Sequence, residues 1–237
     1  MDDIKKLKEF IDKSNNIVFF GGAGVFTESG IKDFRGNNGL YTKSYSNYSP
    51  EYMLSNKCLI NNTKLFFDYY RDNLNCLDKL PNITHKYLKK LEDSNKLKAI
   101  ITQNIDGLHQ KAGSKNVIEL HGSIYRNYCN KCLKEYKSDY IFKSKDIPKC
   151  LCGGIIRPDI VLYGEMLNDS YNQAIHYIMN SDLLIVAGTS ILVEPACSLV
   201  KFFKDKLVII NETETPYDCF ADLVIHKSLG KIFSKLK

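Results

Sequence analysis

Six short apolar runs set the terms for any fold this chain adopts. They fall at residues 17–20, 99–101, 117–120, 181–187, 207–211 and 223–225, with helical patterns among them near 4–11, 171–179 and 195–203. Runs this short and apolar read as buried strands. Strands alternating with helices argue for an α/β fold built on a parallel, doubly wound sheet. Ligands of such sheets bind just beyond the carboxyl ends of the strands, so the residues after each run carry the functional argument.

Those residues are small or polar. Gln103, Asn104 and Asp106 follow the second run and His121 follows the third, so two strand ends offer four hydrogen-bonding side chains to one crevice. Gly188, Thr189 and Ser190 follow the fourth run, and Asn211 closes the fifth, chemistry suited to phosphate and ribose. Taken singly, an Asn or Asp here is a helix cap or a turn. Four such groups at two successive strand ends argue for a site.

The first run ends in Gly21-Gly22-Ala23-Gly24. Glycine lets a backbone turn tightly and approach a pyrophosphate. The usual dinucleotide fingerprint is incomplete, because Thr27 stands where a third Gly belongs, and no Lys follows as in a phosphate-binding loop. A plain turn is the competing reading. The polar stretch through Thr27, Glu28, Ser29, Asp33, Phe34 and Arg35 favours a long loop that closes over a ligand.

Four of the eight cysteines form two close pairs, Cys129/Cys132 and Cys150/Cys152, with Gly153 and Gly154 beside the second. Four thiolates on two knuckles suit a closed, structural Zn²⁺ site, although the second pair is one residue tighter than the common spacing. Disulfides compete with this reading but fit poorly with an acidic start that does not resemble a secretory leader. Apolar content of 44% and charge of 25% are those of a soluble globular protein. No apolar run nears the ~18 residues a membrane span needs. The net charge of +6 reads as dispersed, solvated lysine, with no direct nucleic-acid binding expected. Residues 41–83 read as a mostly helical insert and 123–157 as a metal-stapled one.

Together these motifs resemble the sirtuins, NAD-dependent protein lysine deacylases. The resemblance rests on residues 22–35, 102–106 and 119–122, the cysteine quartet, and residues 157–165 and 188–190, and it covers nearly the whole chain. It implies a Rossmann-like NAD-binding domain (1–40, 84–122 and 158–237), the helical insert and a small zinc domain. It implies NAD as co-substrate and one structural Zn²⁺ on Cys129, Cys132, Cys150 and Cys152. Ala23, Thr27, Phe34, Arg35, Gln103, Ile105, Asp106, His121, Thr189, Ser190 and Asn211 would line the NAD pocket. Asn104 and Asp106 would hold the nicotinamide and its ribose, and His121 would be the general base on the ribose hydroxyls. An imidazole, with an ordinary pKa near 6.5, suits that role. Acetylated protein lysines would enter as an added strand beside Val161, and the protein would act in the cytoplasm.

The chain departs from the family at two loop positions. Phe26 replaces the usual Ser and Lys32 the usual Pro, and both changes point to a higher NAD requirement. Sirtuins that remove acidic acyl groups carry a Tyr and an Arg facing the acyl carboxylate. Phe67 and Tyr70 match those positions, with Arg71 one residue away, which predicts acetyl in preference to succinyl. Rival readings are an NAD-dependent ADP-ribosyltransferase and an NAD-binding module without turnover.

Overall fold

The computed structural model describes residues 2–33, 39, 45 and 47–236. Strands follow in chain order as β1 (Ile17–Gly21), β2 (Leu97–Thr102), β3 (Val117–Glu119), β4 (Gly122–Cys129), β5 (Glu135–Tyr136), β6 (Ile156–Ile160), β7 (Leu183–Ala187), β8 (Lys206–Ile210) and β9 (Leu223–Ile225). The helices are α1 (Asp2–Lys13), α2 (Pro50–Met53), α3 (Asn56–Asn61), α4 (Thr63–Leu74), α5 (Ile83–Asp93), α6 (Leu108–Lys111), α7 (Ser138–Phe142), α8 (Ser170–Met179) and α9 (Leu229–Phe233).

Six strands form one parallel sheet in the order β3-β2-β1-β7-β8-β9. All five residues of β1 are buried, and its side chains alternate between two cores. Ile17 and Phe19 pack with Leu7, Ile11, Leu88 and Phe233 of α1, α5 and α9. Val18 and Phe20 pack with Ala174 and Ile178 of α8 and with Leu199 and Val200 on the other face. Burial on both faces explains why the run is continuously apolar, where a half-exposed strand would alternate. Each such side chain contributes about 1.5–3 kcal/mol when fully buried.

The pattern at 195–203 folds as a 3₁₀ helix, Ala196–Phe202, where an ordinary helix was expected. Its buried residues fall three apart, Ala196 with Leu199 and Cys197 with Val200, which matches three residues per turn.

The second sheet, β5-β4-β6, is antiparallel. Phe66, Phe67 and Tyr70 of α4 pack in one core with Ile124, Ile141, Ile156, Cys129 and Cys150. The segments read as two inserts therefore share their apolar interior. Arg71 reinforces the junction, donating to Ser144 Oγ at 3.0 Å and to the Asp146 carbonyl at 3.1 Å. No helix among the described residues is long and apolar enough to cross a membrane.

Candidate active site

The strand order reverses at β1, with β2 and β3 on one side of it and β7, β8 and β9 on the other. Loops leaving β1 and β7 diverge at such a point and open a crevice. Here they also touch. Gly24 N–H donates to the Gly188 carbonyl at 2.8 Å. A Cβ on Gly24 would sit 2.6 Å from Gly188 Cα, and one on Gly22 would sit 2.7 Å from Thr189 Cβ. The glycines are required by this contact between two backbones, whether or not the common fingerprint is complete.

A cavity of about 750 Å³ opens beyond the carboxyl ends of all six parallel strands. Its lining includes Ala23 and Thr27 after β1, Gln103, Asn104, Ile105 and Asp106 after β2, and His121 after β3. Thr189 and Ser190 after β7, Asn211 after β8, and Val161 after β6 complete the expected set. Phe34 and Arg35 lie outside the described residues.

Hydrogen bonds fix what these groups can do. His121 Nδ1 lies 3.0 Å from the Gln103 carbonyl. A carbonyl only accepts, so Nδ1 carries the proton and Nε2 is left as a base. Burial lowers the His121 pKa, against the opposing carbonyl bond, so the ring is neutral at pH 7. Val161 N–H donates to the His121 carbonyl at 3.0 Å, tying the base to the strand-like edge of the cleft. Asn104 Nδ2 donates to the Gly22 carbonyl at 2.9 Å, which leaves its Oδ1 as an acceptor. Gln103 Nε2 donates to Thr189 Oγ1 at 3.1 Å across the switch point.

Asp106 is 3% exposed. Its Oδ1 accepts the Leu108 N–H at 2.7 Å, while its Oδ2 is buried with no partner in the protein. Burial is the main reason its pKa is raised to about 6, helped by the charge of Glu119 and opposed by the Leu108 N–H. A buried carboxylate oxygen without a donor is costly, and it marks where a ligand N–H would be accepted.

The four knuckle cysteines converge. Their sulfurs all lie within 4.8 Å of one another, with Cys129 and Cys152 at 3.4 Å and Cys132 and Cys150 at 3.6 Å. Thiolates of a tetrahedral zinc, each about 2.3 Å from the ion, stand about 3.8 Å apart, so the donor set and spacing fit. The Tyr136 hydroxyl donates to Cys150 Sγ at 3.0 Å and holds that thiol down, at about 6. A Cβ on Gly154 would press on Cys129 Sγ at 2.6 Å, which explains a glycine beside the knuckle.

The profile of the Sir2 family matches residues 22–195. The chain belongs to this family. A Clostridium tetani (strain Massachusetts / E88) relative named NAD-dependent protein deacetylase is 56% identical over 98% of this chain and 96% of its own. A relative of the same name from Staphylococcus aureus (strain COL) is 47% identical, over 99% and 98% respectively. Among solved structures, a Sir2 variant with deacetylated p53 peptide and 3′-O-acetyl ADP-ribose superposes with a TM-score of 0.92, at 37% identity over 99% of this chain and 97% of that one. A Sir2 complex with p53 peptide and NAD⁺ superposes at 0.88, also at 37% identity, over 98% and 96%.

Two expected substrate residues of this Sir2 chain lie elsewhere. Phe67 and Tyr70 are both 0% exposed and neither lines the cavity. Tyr70 stacks on Phe66 and Phe142, so its side of α4 faces the zinc sheet. Helical spacing put them on one face, but that face seals the shared core. Arg71 is consumed at the same junction, where it also pairs with Asp68 at 2.7 Å. The insert reaches the cavity instead through Leu54, through the last turn of α4 at Asp72, Asn73 and Leu74, and through Asn75, Cys76 and Lys79 after it. Phe26 is 4% exposed and walls the cavity.

Lys227, Ser228 and Leu229 also line the cavity, after β9, and are not among the residues expected from the sequence. The signal was present, since the run at 223–225 ends in polar residues as the other strands do.

Proposed function

We propose that the chain removes acetyl groups from protein lysines at the switch-point cavity, consuming NAD and water and yielding nicotinamide, O-acetyl-ADP-ribose and free lysine. NAD would supply an electrophilic ribose carbon, C1′, which the substrate's acyl oxygen attacks as the bond to nicotinamide breaks. Asp106 Oδ2 accepts the carboxamide N–H of nicotinamide, the donor that this buried oxygen lacks in the protein. Asn104 Oδ1 accepts from the neighbouring ribose, held in place by its bond to Gly22. Ala23, Thr27, Gln103, Ile105, Thr189, Ser190 and Asn211 form the rest of the NAD set. Val161 pairs with the substrate backbone. His121 Nε2 would take a proton from a ribose hydroxyl, whose oxygen then attacks the acyl carbon; the bond from that carbon to the lysine nitrogen breaks, the amine leaves, and water completes O-acetyl-ADP-ribose.

The observation that supports this reading is the His121 Nδ1 bond to the Gln103 carbonyl, which leaves Nε2 free to act as a base in the cavity that the unpartnered Asp106 also lines. We assign 1–40, 84–122 and 158–237 to the NAD-binding domain, 41–83 to the helical insert and 123–157 to the zinc insert. The six-stranded sheet falling wholly within the first of these supports it, with β4 and β6 of the small sheet crossing the boundaries at 122/123 and 157/158. Cytoplasmic action belongs to the same reading, because Cys129, Cys132, Cys150 and Cys152 must stay reduced to hold zinc.

The test is nicotinamide release from NAD with an acetyl-lysine peptide, with products identified by mass. His121→Ala is expected to lower turnover about 10²- to 10⁴-fold while NAD still binds, as for loss of a general base. Near-normal turnover in that variant would sink the assignment, and ADP-ribosylated protein as the main product would favour the transferase reading.

A further inference from the structure

The net charge is not dispersed. Residues 123–157 hold eight Lys and Arg against three Asp and Glu, a net of +5 out of the +6 on the whole chain. The two arginines are committed, Arg126 to Glu119 and Asp159, and Arg157 to Glu165. Lys143 pairs with Asp139. Lys131, Lys134, Lys137, Lys145 and Lys149 are all exposed, and among the described residues none of them is in an ion pair. A four-thiolate zinc centre carries about −2, so the loaded module keeps about +3, still the greater part of the molecule's charge.

Folding gathers part of this charge around an apolar point. Lys131 precedes Cys132 and Lys149 precedes Cys150, and those two sulfurs are 3.6 Å apart. Leu133 and Leu151 stand on the same two knuckles, 71% and 98% exposed. Two bare leucines rimmed by unpaired lysines have the anatomy of a protein-binding patch, apolar at the centre and charged at the edge. Nucleic acid fits less well, because phosphate recognition favours the planar guanidinium and both arginines here are taken.

We propose that the zinc module is a docking face for acidic proteins, so that acyl-lysines are processed fastest on substrates carrying a carboxylate-rich surface away from the lysine. This rests on the deacetylase reading. The span is set by β6, which runs from the second knuckle toward the cleft. Gly154 to Val161 is seven residues of mostly extended chain, about 23 Å at 3.3 Å per residue. A short peptide in the cleft does not reach the face, but a folded protein or a tailed peptide does. Docking adds local concentration and speeds encounter, and it leaves the chemical step unchanged.

The zinc-loaded enzyme would be given a neutral acetyl-lysine peptide, alone or joined through a Gly/Ser spacer of about ten residues to an Asp/Glu tail or a Lys/Arg tail. At ~20 mM salt the acidic tail is expected to raise kcat/KM about 10-fold, mainly through KM, and the gain should vanish near 0.5 M salt. A combined Lys134→Glu, Lys145→Glu and Lys149→Glu variant should lose the gain, yet keep its zinc and its rate on the untailed peptide. Equal rates for acidic and neutral peptides at low salt would overturn the proposal. So would a charge-reversed variant that keeps the preference. A labelled single-stranded oligonucleotide binding more tightly than the acidic tail would reassign the face to nucleic acid and likewise overturn it. Absence of turnover on every peptide would instead defeat the deacetylase reading, and fluorescence anisotropy of a labelled acidic tail would then decide docking by itself.

Discussion

Glu28 Oε1 accepts the backbone N–H of Gly230 at 2.8 Å, joining two points 202 residues apart in sequence. It fastens the 3₁₀ turn Thr27–Ser29, which reaches the cavity through Thr27, to the first turn of α9. A Cβ on Gly230 would overlap that carboxylate. Gly230→Ala should therefore raise KM for NAD with little change in kcat. Glu28→Ala should do so more weakly, and the double variant should recover part of the Gly230→Ala loss. A coupling of roughly 0.5–1 kcal/mol is expected from steady-state kinetics on the four proteins. Simple additivity would show that the two residues act apart.

Asp106 pits stability against function. Its pKa is raised, chiefly by burial, to about 6 against an ordinary value near 3.9. Its ionised form is thus disfavoured by folding, a cost absent below pH 4 and complete above pH 6. Asp106→Asn keeps an acceptor for the Leu108 N–H and removes the charge. The variant should be more stable at pH 7.5 by roughly 1–3 kcal/mol in urea, while turnover with NAD collapses. Reduced stability would contradict the orphaned carboxylate.

The pH profile of stability should fall toward acid. Burial lowers the His85 pKa to about 4, and burial, together with the charge of His85, lowers that of His109 well below the ordinary value. Both rings fold neutral, so their contribution is whole above about pH 6.5 and is lost as pH drops toward the folded pKa. For His85 alone that is roughly 2–3 kcal/mol by pH 4.5. Asp106 opposes the loss between pH 6 and 4, so Asp106→Asn should steepen it. Neither ring nitrogen of His109 has a partner. His109→Leu should therefore flatten the profile and stabilise the protein at neutral pH. Chemical denaturation from pH 7.5 to 4.5 measures all three, and a flat wild-type profile would refute the account.

Zinc removal should unfold more than the knuckles. Cys129 and Cys150 belong to the same core as Phe66, Phe67 and Tyr70. Metal binding supplies folding free energy to such modules. A strong chelator, or Cys132→Ser, should release one Zn²⁺ per chain. Amide protection should then be lost together in β4, β6 and α4, with β1 and β7 still protected. Retained protection in α4 would show that the two inserts are energetically separate.

The strands of the parallel sheet were legible because a strand buried on both faces must be apolar throughout, and the residues at 17–20 and 183–187 meet that demand without help from the rest of the chain. The meeting of Gln103, Asn104, Asp106 and His121 at one cavity was legible for a related reason, since crevices in such a sheet open where strands end. The cysteine quartet announced itself by spacing. Phe67, Tyr70 and Arg71 were not legible in this way. Their pattern defines a helix face but not what the face meets, and it meets the zinc sheet. The latch between Glu28 and Gly230, the orphaned Oδ2 of Asp106 and the tautomer of His121 were equally out of reach. Periodicity and spacing are local, so the sequence by itself determined which segments are strands and which residues stand at their ends. Partners far apart in the chain, and the loss of water around a carboxylate, come into being only when the chain closes on itself, and the tertiary structure alone decided them.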